Sequence, residues 1–321
     1  MIAPYPDSAT QRNSWIVTQR PERTTLDPDK PYLYLVEEEC AASGEVVPVA
    51  TVFLTNRECP WRCLMCDLWK NTLTDSVGPG SIPRQIAYAL DRLPTARQIK
   101  LYNSGSFFDQ QAIPKGDYTA IARLAGTFER TIVECHPALV SEECANFQDL
   151  LGHQLEVAMG LETVQPQVLD RLNKRMTLDQ FAKAAELLRS RKIDLRVFIL
   201  VQPPFMQPEE SLYWAQRSLD FAFDCGATAA SLIPTRTGNG AMEALMAAGE
   251  FHPPNLETLE MAMQYGLTLQ RGRVFIDEWD RDRVYAKCGV CHKARWQRLH
   301  SMNLSQQISP PVSCQACEEL S

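Results

Sequence analysis

Val49–Trp69 reads VATVFLTNRECPWRCLMCDLW. The first seven residues are apolar or β-branched, the composition of a parallel strand covered on both faces. The remainder places Cys59, Cys63 and Cys66 in the loop straight after that strand, spaced C-x3-C-x2-C. Three thiolates are an odd number for a closed tetrahedral site, because structural zinc takes four protein ligands. Ferredoxin runs use two-residue gaps and a fourth cysteine. On a cubane [4Fe–4S] cluster, a three-cysteine loop leaves one iron open to a substrate or cofactor.

Outward from this stretch, β-rich runs alternate with helical ones. The strand candidates are 49–55, 98–104, 130–136, 154–162, 195–202 and 229–235. The helix candidates lie near 81–93, 116–127, 141–151, 165–191, 208–225 and 255–270. Thr177 with Gln180 forms a capping-box pattern, Ser141 precedes two glutamates, and Pro208 suits a first turn. Six βα units in series predict a parallel sheet, either open or closing towards a barrel. In both cases ligands collect at the carboxyl ends of the strands. There the sequence places the cysteine loop, Ser104-Gly105-Ser106, Glu134 with His136, Gly160 with Glu162 and Thr163, Gln202, and Thr235-Arg236-Thr237.

Residues 1–48 read as an extension, with a hairpin turning at Ser43-Gly44 and lying beside the first strand. Residues 49–275 form the α/β unit, and residues 276–321 a small tail. The stretch 271–288 has room for one more strand. The 321 residues are 45% hydrophobic and 22% charged, an ordinary globular mixture long enough for a sizeable core. No apolar run nears the ~20 residues of a membrane span. The polar, proline-containing start MIAPYPDSATQRNSW resembles neither signal peptide nor anchor, so a cytoplasmic protein is expected, with no membrane partner. A net charge of −7 argues against a surface made for indiscriminate phosphate binding. The basic runs RLNKR (171–175), RSRK (189–192) and HKARWQRLH (292–300) are either solvated helix faces or a local basic surface. Four scattered cysteines, Cys40, Cys135, Cys144 and Cys225, read as small buried hydrophobes.

Loop and βα pattern together resemble the radical S-adenosylmethionine (radical SAM) superfamily, over residues 49–275. The resemblance implies a partial (βα)6 TIM-like barrel, with a [4Fe–4S] cluster on Cys59, Cys63 and Cys66. It implies that the open iron chelates SAM, and that reductive cleavage usually gives methionine and a deoxyadenosyl radical. A flavodoxin- or ferredoxin-like electron donor follows. Ser104, Gly105 and Ser106 stand where the family carries a glycine-rich motif for the SAM amino group, but without its usual double glycine and acid. Met65 stands where many members have an aromatic. GLETVQPQVLDRLNKRMT (160–177) is similar to elongator-catalytic-subunit-like members, in which a polar residue at the place of Glu162 approaches SAM. Glu134, Gly160 and Gln202 complete the cofactor candidates. With VQPPFMQPEES (201–211), these motifs look most like the branch that holds the radical SAM subunit of archaeosine synthase. The branch suggests a modified tRNA base as substrate. A small molecule or peptide, release of a 3-amino-3-carboxypropyl group, and a non-catalytic Fe–S or zinc module for RNA or a protein partner remain alternatives.

The second cluster pairs Cys288 with Cys291 and Cys314 with Cys317, close to a zinc-ribbon pattern. Four thiolates close a tetrahedron around zinc, and such a metal stabilises a segment too small for its own core. The same four residues would alternatively hold a second Fe–S cluster. His292 reads as a flanking residue, and the basic run between the pairs either touches nucleic acid or is a helix face.

Overall fold

The computed structural model describes residues 4–286 and 288–318; Lys287 and the outermost residues of the two terminal segments lie outside it. One sheet holds eight strands in sequential order: β1 Leu33–Cys40, β2 Val46–Phe53, β3 Gln98–Tyr102, β4 Arg130–Glu134, β5 Gln154–Glu162, β6 Asp194–Val201, β7 Ala229–Pro234 and β8 Arg273–Ile276. β1 and β2 pair antiparallel, Leu33 opposite Phe53 and Cys40 opposite Val46, so the expected hairpin is present. Gly44 turns it with a φ of +85°, which suits glycine. All later pairs are parallel. β8 is the extra strand for which 271–288 had room. The result is an α/β half-barrel with an N-terminal hairpin and a C-terminal four-cysteine cluster.

The helices are α1 Ala9–Thr18, α2 Ser81–Leu90, α3 Tyr118–Ala125, α4 Glu142–Leu151, α5 Pro166–Arg171, α6 Leu178–Ser190, α7 Ser211–Asp224, α8 Ala241–Ala247, α9 Leu256–Thr268, α10 His292–Ser305 and α11 Gln315–Glu318. The Thr177–Gln180 capping box starts α6, and Ser141 accepts from the Glu143 amide at the start of α4. The run 165–191 is not one helix. It breaks between α5 and α6, where Asn173 and Arg175 take positive φ, and the break turns the intervening Lys174 inward.

The strands are not apolar on both faces. Leu155, Val157 and Met159 of β5 share a core with Phe181 and Leu188 of α6 and Leu219 of α7. Their alternates, Ala158, Gly160 and Glu162, face a cavity, as do Arg196, Phe198 and Leu200 of β6. Below it lies an ionic floor. Glu156, fully buried, accepts from Arg196 Nε (2.6 Å), Arg273 Nη2 (2.9 Å) and Arg130 Nη1 (3.0 Å), and Lys100 Nζ lies 2.6 Å from Glu39. Burial alone would raise the Glu156 carboxyl; Arg196, Arg273 and Arg130 overcome it and hold the group at about 2.

The free edge of β8 is covered by side chains of α10. The Asn303 amide accepts from Ile276 N (2.8 Å) and donates to Ile276 O (2.9 Å); the Gln306 amide, at the helix end, accepts from Val274 N (2.7 Å) and donates to Val274 O (3.0 Å). One turn of helix thus supplies the hydrogen bonds a ninth strand would make, and protects the edge. No described helix is long and apolar enough to cross a membrane.

Candidate cluster and cofactor site

The cysteine loop is held through its backbone and flanks rather than through its thiols. Asn56, just past β2, donates to Asn103 O (2.7 Å) and accepts from Asn103 Nδ2 (2.9 Å), locking the ends of β2 and β3 together. Asn173 Nδ2 donates to Arg62 O (2.7 Å), and Asn239 Nδ2 donates to Leu64 O (2.8 Å) and Cys66 O (3.1 Å). Trp61 stacks on His136, with ring centroids 3.8 Å apart at 9°. From the N-terminal segment, Arg20 and Arg23 clamp Glu58 at 2.8 and 2.6 Å, while Tyr5, Trp15 and Ile16 pack with Leu64 and Met242.

Cys59, Cys63 and Cys66 all line one cavity of about 800 Å³. Burial first, then the neighbouring sulfurs, pushes each of the three thiols up to about 12. Across from them Gly105 lies so close that a Cβ there would be 3.4 Å from the Cys59 Cβ. Ser104 takes a φ of +54° and shares a hydrogen bond with the Tyr32 hydroxyl (2.9 Å). Ser106 Oγ accepts from His136 N (2.8 Å). Glu134 accepts from Asn103 N (3.0 Å), and burial raises its carboxyl to about 7. His136 is pushed down to about 3 by burial and then by Lys174. Its Nδ1 accepts from Ala138 N, so Nε2 carries the proton and donates to Lys174 O (3.1 Å).

Glu162 ends β5 at a register shift, with a φ of +67°, and pairs with Lys174 Nζ at 2.6 Å. Gly160 permits that pair, because a Cβ there would overlap both the carboxylate and the ammonium. Lys174 stays charged: burial would lower it, but Glu162 and then Cys63 raise it. The sequence treats Lys174 as part of a basic run, so its place at the site was missed; the glycine two residues before Glu162 was the available signal. Six of the seven cofactor candidates line the cavity. Gln202, the seventh, is not on its wall: it is buried with a φ of +58°, and its amide donates to Met206 O (2.8 Å), fixing the loop after β6.

At the other end of the chain, four sulfurs come together. Cys288 and Cys314 lie 3.8 Å apart, Cys291 and Cys317 lie 3.5 Å apart, and all four Sγ atoms fall within 4.8 Å of one another. Zn–S bonds of about 2.3 Å give tetrahedral edges near 3.8 Å. A cubane separates its cysteine sulfurs further, since each binds a different iron. The set therefore fits one common ion. A backbone hydrogen bond from Cys291 lowers the Cys288 thiol to about 7, which favours a thiolate ligand. His292 receives the Trp296 indole N–H (3.1 Å) and flanks the site as expected. The basic run there is a packing face: Arg295 and Arg298 both pair with Glu260, and Trp296 is buried.

No family model matches the chain. It is 22% identical over 311 residues to an uncharacterized protein of Methanocaldococcus jannaschii, covering 90% of this chain and 85% of that protein. It is 25% identical over 224 residues to archaeosine synthase subunit beta of Methanosarcina acetivorans, covering 66% of this chain and 65% of the subunit. Among solved structures it is similar to an N-terminally truncated Elp3 of Methanocaldococcus infernus, with a TM-score of 0.51 and 15% identity, over 68% of this chain and 59% of that one. The chain thus spans less than two thirds of each, 65% of the synthase subunit and 59% of that Elp3. These likenesses give a distant relation to archaeosine synthase subunit beta and a barrel fold shared with that Elp3.

Proposed function

We propose that the chain is a radical SAM enzyme of the cytoplasm, holding a [4Fe–4S] cluster on Cys59, Cys63 and Cys66. The observation that carries this reading is the three-thiol loop opening onto a cavity whose facing wall is Ser104, Gly105 and Ser106 with Glu162. The donor set fits the group: three sulfurs sit on one braced loop that lines the cavity, and they would hold three of the cluster's four irons. When bound, the cluster supplies one-electron reduction of SAM, with electrons from a flavodoxin- or ferredoxin-like donor. The chain's own residues place and enclose the reactants. Gly105 lets the wall approach Cys59, Glu134 and Glu162 offer carboxylates to the hydroxyl and ammonium groups of SAM, and Lys174 offers a cation to its carboxylate. The Trp61–His136 stack keeps the loop from moving. The four-cysteine site holds zinc in a structural role. The relation to archaeosine synthase subunit beta supports a modified tRNA base as substrate. The paired state of most arginines in the basic runs favours a small molecule.

The test is anaerobic incubation of reconstituted protein with SAM and dithionite, followed by mass spectrometry of the SAM fragments. Cleavage products are expected; intact SAM in a cluster-loaded sample rejects the reading. Glu162→Gln should weaken SAM binding about ten- to a hundredfold, the worth of a charged hydrogen bond of about 1.5–3 kcal/mol. Equilibrium dialysis against labelled SAM measures it, and unchanged affinity would remove Glu162 from the site.

A further inference from the structure

Away from the cysteine loop, the same cavity ends in a wall of rings and acids. Phe53 stands edge-on to Trp279 and to Tyr102, at 6.1 and 6.0 Å, and Tyr102 stands edge-on to Phe198 at 6.4 Å. Beside these rings lie Glu37 of β1, and Asp277 and Asp280 after β8. The basic groups on this part of the wall already have acidic partners. Lys100 lies 2.9 Å from Glu37 and 2.6 Å from Glu39; Arg196 lies 2.6 Å from Glu156; Arg236 lies between Asp277 (3.3 Å) and Asp280 (3.4 Å). Lys100 and Arg236 are each shared by two carboxylates, so acids outnumber bases on this wall.

From this arrangement we propose that the cavity's far end binds a small, cationic, ring-bearing substrate: an aryl- or heteroaryl-alkylamine, free rather than carried on RNA. The inference rests on the enzyme reading above for the idea that a substrate occupies this end. The physical grounds are three. Aromatic faces attract an ammonium, most strongly where water is excluded. A concave wall with surplus acid focuses a field that draws cations and repels anions. Edge-on rings leave faces for another ring to stack against. A tRNA would need unpaired cations to meet its phosphates. In the basic runs Arg171 pairs with Glu250, Arg189 with Glu186, Arg191 with Glu142, and Arg298 with Glu260, which leaves only Arg175, Lys192 and Lys293 among their described residues without a carboxylate partner.

A matched pair of probes separates charge from shape: phenethylamine and 3-phenylpropionate carry the same ring and spacer with opposite charge. Calorimetry on the protein as purified, without SAM, should find phenethylamine bound at least about tenfold more tightly. Trp279→Ala and Asp280→Asn, both at exposed positions, should each weaken it about threefold or more while leaving the melting temperature in place. Added salt should lower its affinity, and bulk tRNA should not displace it. Equal binding of the two probes, tighter binding of the carboxylate, no binding of either, or displacement by tRNA would each overturn the proposal. Because the measurement needs neither cluster nor SAM, its failure leaves SAM cleavage standing, and failure of SAM cleavage leaves the charge preference measurable.

Discussion

Protein carrying Cys59→Ala, Cys63→Ala and Cys66→Ala together, reconstituted anaerobically with iron and sulfide, is expected to lose the brown chromophore and all SAM cleavage. It should keep its fold and the metal at the C-terminal cysteines. The expectation is specific because the loop does not depend on its sulfurs for position. Asn173 and Asn239 hold the carbonyls of Arg62, Leu64 and Cys66, Arg20 and Arg23 hold Glu58, and Trp61 rests on His136. Removing three partly exposed thiols therefore deletes ligands and leaves the scaffold. Circular dichroism should be unchanged, and iron should fall from about four per chain, the content of one cubane, to about none. A triple variant that still cleaves SAM would place the reductive chemistry elsewhere. A variant that unfolds would show that the thiols hold the loop, against the hydrogen-bond pattern.

Much of this architecture is legible in the sequence. The six strand candidates fall within about three residues of strands in the fold, because β-branched runs between turn residues have few other uses. The hairpin, the Thr177–Gln180 box and the placing of the cysteine loop at a strand's carboxyl end all stand. What the sequence hides has physical reasons. The inward residues of the strands face a cavity, so Lys100, Glu156 and Arg196 sit in runs that otherwise read as buried on both faces. Their charges cancel only across strands far apart in the chain, and no local pattern records that. α1 is mostly polar, and of its residues only Arg12, Trp15 and Ile16 are buried. α10 buries Trp296, Leu299 and Met302 at intervals of three among charged residues, a stripe too narrow to stand out. Lys174 reaches the site only because two neighbours adopt positive φ, which neither composition nor periodicity signals.

Cys314→Ser is expected to abolish metal binding at the C-terminal site while the chromophore at the barrel rim stays. A four-thiolate zinc site contributes on the order of 10 kcal/mol, and a sulfur lost from a closed tetrahedron leaves no spare ligand. The damage should be local. α10 is fixed independently of the metal, by Trp296, Leu299 and Met302 in the main core and by the amides of Asn303 and Gln306 on the edge of β8. Among the described residues, 307–313 have no such anchors. Residues 307–313 are largely exposed, and Arg298 holds them only through the carbonyls of Ser309 and Pro310. Without metal, that stretch cannot offset its ordering entropy. Limited proteolysis should therefore cut the variant after residue 306 and spare α10. The double variant Asn303→Ala/Gln306→Ala should do the converse, keeping the metal while loosening the helix and exposing the strand edge to aggregation. If Cys314→Ser also releases α10, the metal rather than the core holds the seam. Elemental analysis of the unmodified protein decides the ion itself: the sulfur spacing calls for about one zinc beside about four irons, whereas about eight irons and no zinc would mean that the four sulfurs open out around a second cluster.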